Sequence, residues 1–181
     1  RVRVAPVLVT SRGTGYQRRA VGSHDNLGTT RLDLPPQELE TRAVVFTWDG
    51  VDHRSRAALD AGCNAATLPG ALHAAEHGAI GMLGLFGLCD RWDVGGLSTA
   101  DHPDTGGPTV LIHDGYPGGA GIAELAERVA EAHLAATRAA IAECPCEAGC
   151  PSCVQSPKCG NLNEPLDKPG ALIAIDALLG R

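Results

Sequence analysis

Cys144-Pro-Cys146-Glu-Ala-Gly-Cys150-Pro-Ser-Cys153-Val-Gln-Ser-Pro-Lys-Cys159-Gly160 is the stretch on which the reading of this chain turns. Five of the seven cysteines fall in it. A disulfide framework would spread them along a short secreted chain, whereas clustering points to a metal. The Cys150-Pro-Ser-Cys153 spacing lets two thiolates grip one ion, with turn residues between them that free backbone N–H groups for the sulfurs. Zinc takes four ligands in a tetrahedron, and four thiolates close that site to substrate. Five cysteines compete for four places. We take Cys146, Cys150, Cys153 and Cys159 as the set, with Cys144 as the alternative at the end of a predicted helix. Four thiolates also suit an iron–sulfur cluster. A redox C-x-x-C would open a helix after a strand instead of lying in a Pro- and Gly-broken loop after a helix. The expectation is one structural Zn2+ per chain. Cys63 and Cys89 stand apart and read as small core residues.

Leu166–Leu179 reads as a closing helix, and Ile122–Glu143, with Leu125, Val129 and Leu134 on one stripe, as a long helix before the cysteines. Gly70–Cys89 is apolar nearly all round, which predicts a central buried helix. Its glycines at 78, 81, 84 and 87 weaken it but allow close packing. A short helix is expected over Asp52–Ala61, a loop over Asp90–Gly107, and a buried strand over Thr109–His113. Nearer the N-terminus four strands are expected: Val2–Val9, with Pro6 marking an edge or bulge, Tyr16–Val21, Thr29–Leu34 and Thr41–Trp48. Asn26-Leu27-Gly28 reads as a turn, and four strands in succession favour an antiparallel sheet. The fold class is therefore α+β: an N-terminal, mainly antiparallel sheet packed with central and C-terminal helices, plus a four-cysteine zinc loop. It forms one domain over 1–181, strand-rich over 1–50, mainly helical over 51–143, and zinc loop and last helix over 144–181.

A chain of 181 residues can bury a sizeable core without cross-links. Aromatics are only 3% of it, so few rings are available to stack on bases. A net charge of −6 argues against a surface coated for nucleic acid. The first 31 residues nevertheless carry six arginines against the single acid Asp25, which makes Arg12, Arg18 and Arg19 candidate nucleic-acid contacts. Arginine richness with little lysine also follows from a GC-rich genome. The N-terminus alternates Arg and Val, unlike the basic end and apolar run of a secretory signal. Ala79–Leu88, the most apolar run, is about half a membrane span. A reducing, cytoplasmic setting with no membrane partner is the expectation.

Two further motifs carry chemistry. His73-Ala-Ala-Glu76-His77 matches the His-x-x-Glu-His pattern of inverted zinc proteases, with both histidines on one helical face and Glu76 as general base. The alternative is a buried helix whose histidines bond neighbouring loops, with Asp90, Asp93 and Asp114 as candidate partners. Asp114-Gly-Tyr-Pro-Gly118-Gly119-Ala-Gly121 joins a strand to a helix and could receive an anion, yet it lacks the Lys-Ser or Lys-Thr of a P-loop. A tight strand-to-helix connection explains it as well, with Asp114 capping the turn, holding a histidine or serving a catalytic cluster.

Gly149-Cys-Pro-Ser-Cys-Val-Gln-Ser-Pro-Lys-Cys-Gly-Asn161, followed by Asn163-Glu-Pro-Leu-Asp-Lys168, resembles the C-terminal zinc-binding (MZB) domain of DEAD/DEAH-box superfamily 2 helicases. The kinds in question are bacterial mitomycin repair factor A helicases and their fungal RecQ-like counterparts. Thr14-Gly-Tyr-Gln-Arg18, Thr41-Arg-Ala43, Ala71-Leu-His-Ala-Ala-Glu-His77 and Asp114–Gly121 are similar landmarks, so the likeness spans nearly the whole chain. The resemblance implies a non-catalytic domain of an ATP-dependent 3′-to-5′ DNA helicase acting in repair. It implies DNA and the RecA-like domains of the same polypeptide as partners, and Cys146, Cys150, Cys153 and Cys159 as zinc ligands. It also implies a piece of a longer protein, because the ATPase residues of such helicases lie in the RecA-like domains. This chain holds neither a G-x-x-x-x-G-K-[ST] nor an Asp-Glu-x-His box.

Overall fold

Val44, Val45 and Phe46 are buried in succession because their strand, β4 (Gln37–Thr47), lies inside a sheet with one neighbour on each side. The computed structural model describes residues 1–23, 25–48 and 54–181. β1 (Val2–Ser11) pairs antiparallel with β4 along its length, with Pro6 opposite Arg42. As a sheet-edge strand β1 tolerates the proline, which has no N–H to donate. On the other side of β4 lies β6 (Gly107–Asp114), and beyond it β5 (Val94–His102), giving an antiparallel order β1-β4-β6-β5.

The expected antiparallel sheet is present, but its membership differs from the four consecutive strands. β2 (Gly15–Arg19) and β3 (Asn26–Arg31) form a separate, largely exposed hairpin between β1 and β4. Asn26-Leu27-Gly28 opens the return strand and is no turn: Asn26 Oδ1 accepts from Gly28 N at 2.8 Å, opposite a register shift at Arg18/Arg19. The fourth member of the main sheet, β5, lies in the segment expected to be a loop. Its Gly95 and Gly96 read as loop signals, yet both are close-approach positions. A Cβ on Gly95 would stand 2.3 Å from the His113 ring, and one on Gly96 would stand 2.5 Å from Glu76.

The helices follow the expected order with different ends. α1 (Arg54–Gly62) covers the described part of the short helix expected over Asp52–Ala61, whose start lies outside the described residues. α2 (Leu68–Leu83) starts with Pro69 in its first turn and stops six residues before Cys89. The chain folds back there, so that a Cβ on Gly84 would meet the Cys89 carbonyl at 2.9 Å. The helix expected over Ile122–Glu143 is broken at Val129 (φ −106°, ψ 15°) into α3 (Ile122–Arg128) and α4 (Ala130–Glu143). α5 (Lys168–Leu179) is capped by Asp167, whose Oδ1 accepts from Gly170 N at 2.8 Å.

α2 is buried between the sheet and α4 and α5, as its all-round apolarity predicts. Phe46, Leu72, Leu83, Ile112, Ile141 and Ile175 fill the core around it, and Trp48 Nε1 donates to the Ala174 carbonyl at 2.9 Å. Cys63 belongs to this core and Cys89 packs against it. No helix among the described residues is long and apolar enough to cross a membrane.

Candidate metal centres

The end of α4 and the start of α5 bring the cysteine segment against the core, with Val154 fully buried as its anchor. Four sulfurs converge there: those of Cys144, Cys146, Cys150 and Cys153, all within 4.8 Å of one another. Individual S···S separations are 3.6 Å for Cys144–Cys146, 3.5 Å for Cys144–Cys150 and Cys146–Cys153, and 3.9 Å for Cys150–Cys153. Zinc–sulfur bonds of about 2.3 Å in a tetrahedron would set sulfurs about 3.8 Å apart. The cluster fits that ion.

This corrects the expected set of Cys146, Cys150, Cys153 and Cys159. Cys144 leaves α4 in an extended conformation (φ −68°, ψ 124°), which turns its sulfur into the cluster. Cys159 is carried off by the turn after Ser156 and sits beside α2, its Sγ 3.3 Å from His73 Nε2.

The four-sulfur group is braced electrostatically. The Cys150 amide donates to Cys153 Sγ at 3.3 Å. Lys168, buried at the head of α5, places its Nζ 2.6 Å from the carbonyls of both Cys144 and Cys146 and 3.6 Å from Cys146 Sγ. An ammonium there offsets the negative charge that four thiolates collect. A backbone N–H from Ser152 pulls the Cys150 thiol down to about 7, and burial pushes Cys153 up to about 12. Lys168 was legible only as part of a family string; its contact with the thiolates depends on how α5 docks.

A second group lies on α2. His73, His77 and Cys159 present ring nitrogens and a sulfur within 4.8 Å of one another. The histidines face neither Asp90, Asp93 nor Asp114: His73 Nδ1 lies 2.8 Å from the Pro165 carbonyl, and His77 Nδ1 2.8 Å from that of Val154. Glu76, between them, is buried and its carboxyl is raised to about 7 by desolvation, against an opposing hydrogen bond with Ser98. These residues line one end of a groove of about 1020 Å³ that also runs along β1, β5 and β6.

Asp114 is committed elsewhere. Fully buried at the end of β6, its carboxylate accepts from the amides of Ala120, Ile122 (3.2 Å) and Ala123 (2.8 Å) at the start of α3. Gly118, Gly119 and Gly121, with φ of 76°, 92° and 85°, bend the chain to allow it. The glycine-rich turn thus points its N–H groups at the protein's own carboxylate. Of the candidate arginines, Arg12 pairs with Asp33 at 2.7 Å, Arg19 bonds Gln17, and both Arg18 and Arg19 are exposed on the β2–β3 hairpin.

Comparison with known proteins also points to a zinc-binding domain. A family model described as the MrfA Zn-binding domain matches residues 75–154. The uncharacterized protein MJ1572.1 of Methanocaldococcus jannaschii is 35% identical over 111 residues, which cover 60% of this chain and 99% of that protein. An uncharacterized ATP-dependent helicase, YprA of Bacillus subtilis, is 31% identical over 151 residues, covering 82% of this chain and 19% of the helicase. Among solved structures, the DUF1998 helicase MrfA bound to DNA matches 97% of this chain and 22% of its own, with a TM-score of 0.66 and 26% identity. The same helicase bound to DNA and AMPPNP matches with a TM-score of 0.56 and 25% identity. The chain therefore spans about a fifth of these helicases and nearly all of the M. jannaschii protein.

Proposed function

The chain belongs to the MrfA zinc-binding domain family, and from that membership we propose that it serves as the zinc-stabilised, non-catalytic accessory domain of an ATP-dependent DNA helicase of the 3′-to-5′ repair type. The observation that carries this reading is the closed four-cysteine cage, set in a fold that recurs over 97% of the chain within a DNA-bound helicase. Cys144, Cys146, Cys150 and Cys153 hold the ion, which ties the end of α4 to the head of α5 and leaves no coordination position for substrate. ATP turnover belongs to RecA-like domains of the parent polypeptide. DNA reaches this domain through that parent, with Arg18 and Arg19 on the exposed hairpin as the candidate contacts and Arg12 engaged with Asp33. A reducing compartment such as the cytoplasm suits seven cysteines that form no disulfide.

The hydrolase reading of His73, Glu76 and His77 is not favoured. The third residue facing the two histidines is a thiol, where an inverted zinc protease has a carboxylate, and two of the relatives, YprA and MrfA, are helicases. A pure interaction scaffold has no specific observation behind it. The test is ATP turnover by the purified chain with and without single-stranded DNA. The expected outcome is none above background; DNA-stimulated hydrolysis by the chain alone would sink the accessory-domain reading.

A further inference from the structure

His73 and His77 lie one turn apart on α2, their ring centroids 4.3 Å from each other. Each turns its Nδ1 to a backbone carbonyl, His73 to Pro165 and His77 to Val154, both at 2.8 Å. A carbonyl can only accept, so each Nδ1 carries the proton and each Nε2 is left with a lone pair. Histidines that ligate metals are held in this way, with the far nitrogen fixed by a hydrogen bond. Cys159 Sγ stands 3.3 Å from His73 Nε2. Zinc bonds of about 2.0–2.1 Å to nitrogen and 2.3 Å to sulfur would set a tetrahedral N···S pair about 3.6 Å apart.

The loop that presents Cys159 is built to hold it there. Leu162 and Asn163 adopt left-handed backbone conformations, with φ of 58° and 62°. Asn163 is clamped to Ser156 at both ends of its amide, at 2.7 and 3.1 Å, and its own N–H points at Cys159 Sγ at 3.3 Å. Asparagine adopts the left-handed conformation readily, whereas for Leu162 it is costly.

We propose that His73, His77 and Cys159 form a second metal site, separate from the four-cysteine cage, that takes zinc or another borderline divalent transition ion. All three residues line the groove, so the fourth coordination position faces it and is open to water or a small donor. The ion pins the Ser156–Asn163 loop to α2 and raises the zinc content from one to two per chain. This site is independent of the helicase reading.

Zinc is counted by mass spectrometry on the purified chain as wild type, C159S and C150S, with circular dichroism to follow folding. The wild type is expected to carry about two ions, and C159S and C150S about one each. A zinc lost only in C150S, with C159S matching the wild type, overturns the second site and leaves the four-cysteine cage standing. A zinc lost only in C159S supports the second site and sinks the cage. If C159S fails to fold, cobalt titration of the zinc-free wild type decides. Visible absorption rising to two equivalents supports the proposal, and saturation at one overturns it.

Discussion

Lys168, buried at the head of α5, sets its ammonium against two carbonyls and a sulfur. Burying an ammonium is costly unless its charge is answered, and the thiolates of the cage answer it. Lys168→Met is therefore expected to weaken zinc binding about 10- to 100-fold, read by competition with a chromophoric chelator, with little change in zinc-loaded secondary structure. Unchanged affinity would remove Lys168 from the account. At this scale the sequence announces the metal but not the ligand set. Cys150-Pro-Ser-Cys153 is decisive by spacing alone, because two residues of turn bring both sulfurs to one ion. The fourth ligand depends on the direction in which Cys144 leaves α4 and on the turn that takes Cys159 to His73, and neither is encoded in spacing. The same holds for the histidines, whose carbonyl partners lie 77 and 92 residues away.

Helix α5 approaches α2 closely enough that a Cβ on Gly170 would stand 2.6 Å from the Cβ of Ala71. Neither atom can swing aside, so Gly170→Ala must separate the helices, at a cost of about 1–3 kcal/mol in urea unfolding. Gly81, on the exposed side of α2, has nothing within 4 Å of its Cβ position, and Gly81→Ala should stabilise by about 0.5–1 kcal/mol. Equal effects from the two substitutions would contradict the packing described. The glycines at 78, 81, 84 and 87 look alike in sequence, yet Gly78 meets Ile141 on α4 and Gly81 meets open space. The sequence shows where a helix is weak; only its neighbours decide which glycine is required. Strand β5 was illegible for the same reason. Its two glycines resemble a loop until His113 and Glu76 are seen pressed against them.

Across the whole molecule the cage joins what the core leaves loosely tied. α5 packs on α1, α2 and α4, but the segment between α4 and α5 has no regular structure, and Val154 is its one fully buried apolar anchor. Zinc binding at such a site is folding free energy. That there is an antiparallel sheet, a central buried helix and a cysteine metal site is legible because each rests on local composition. The split into a main sheet and a separate β2–β3 hairpin was not, because it depends on β6 inserting beside β4 from far along the chain. Whether zinc holds the fold together is read from a thermal melt at neutral pH before and after chelation, with zinc counted in the same samples. Losing zinc is expected to lower the melting temperature by roughly 10 °C or more and to loosen α5. A melt that does not move while the zinc is shown to have left would contradict it.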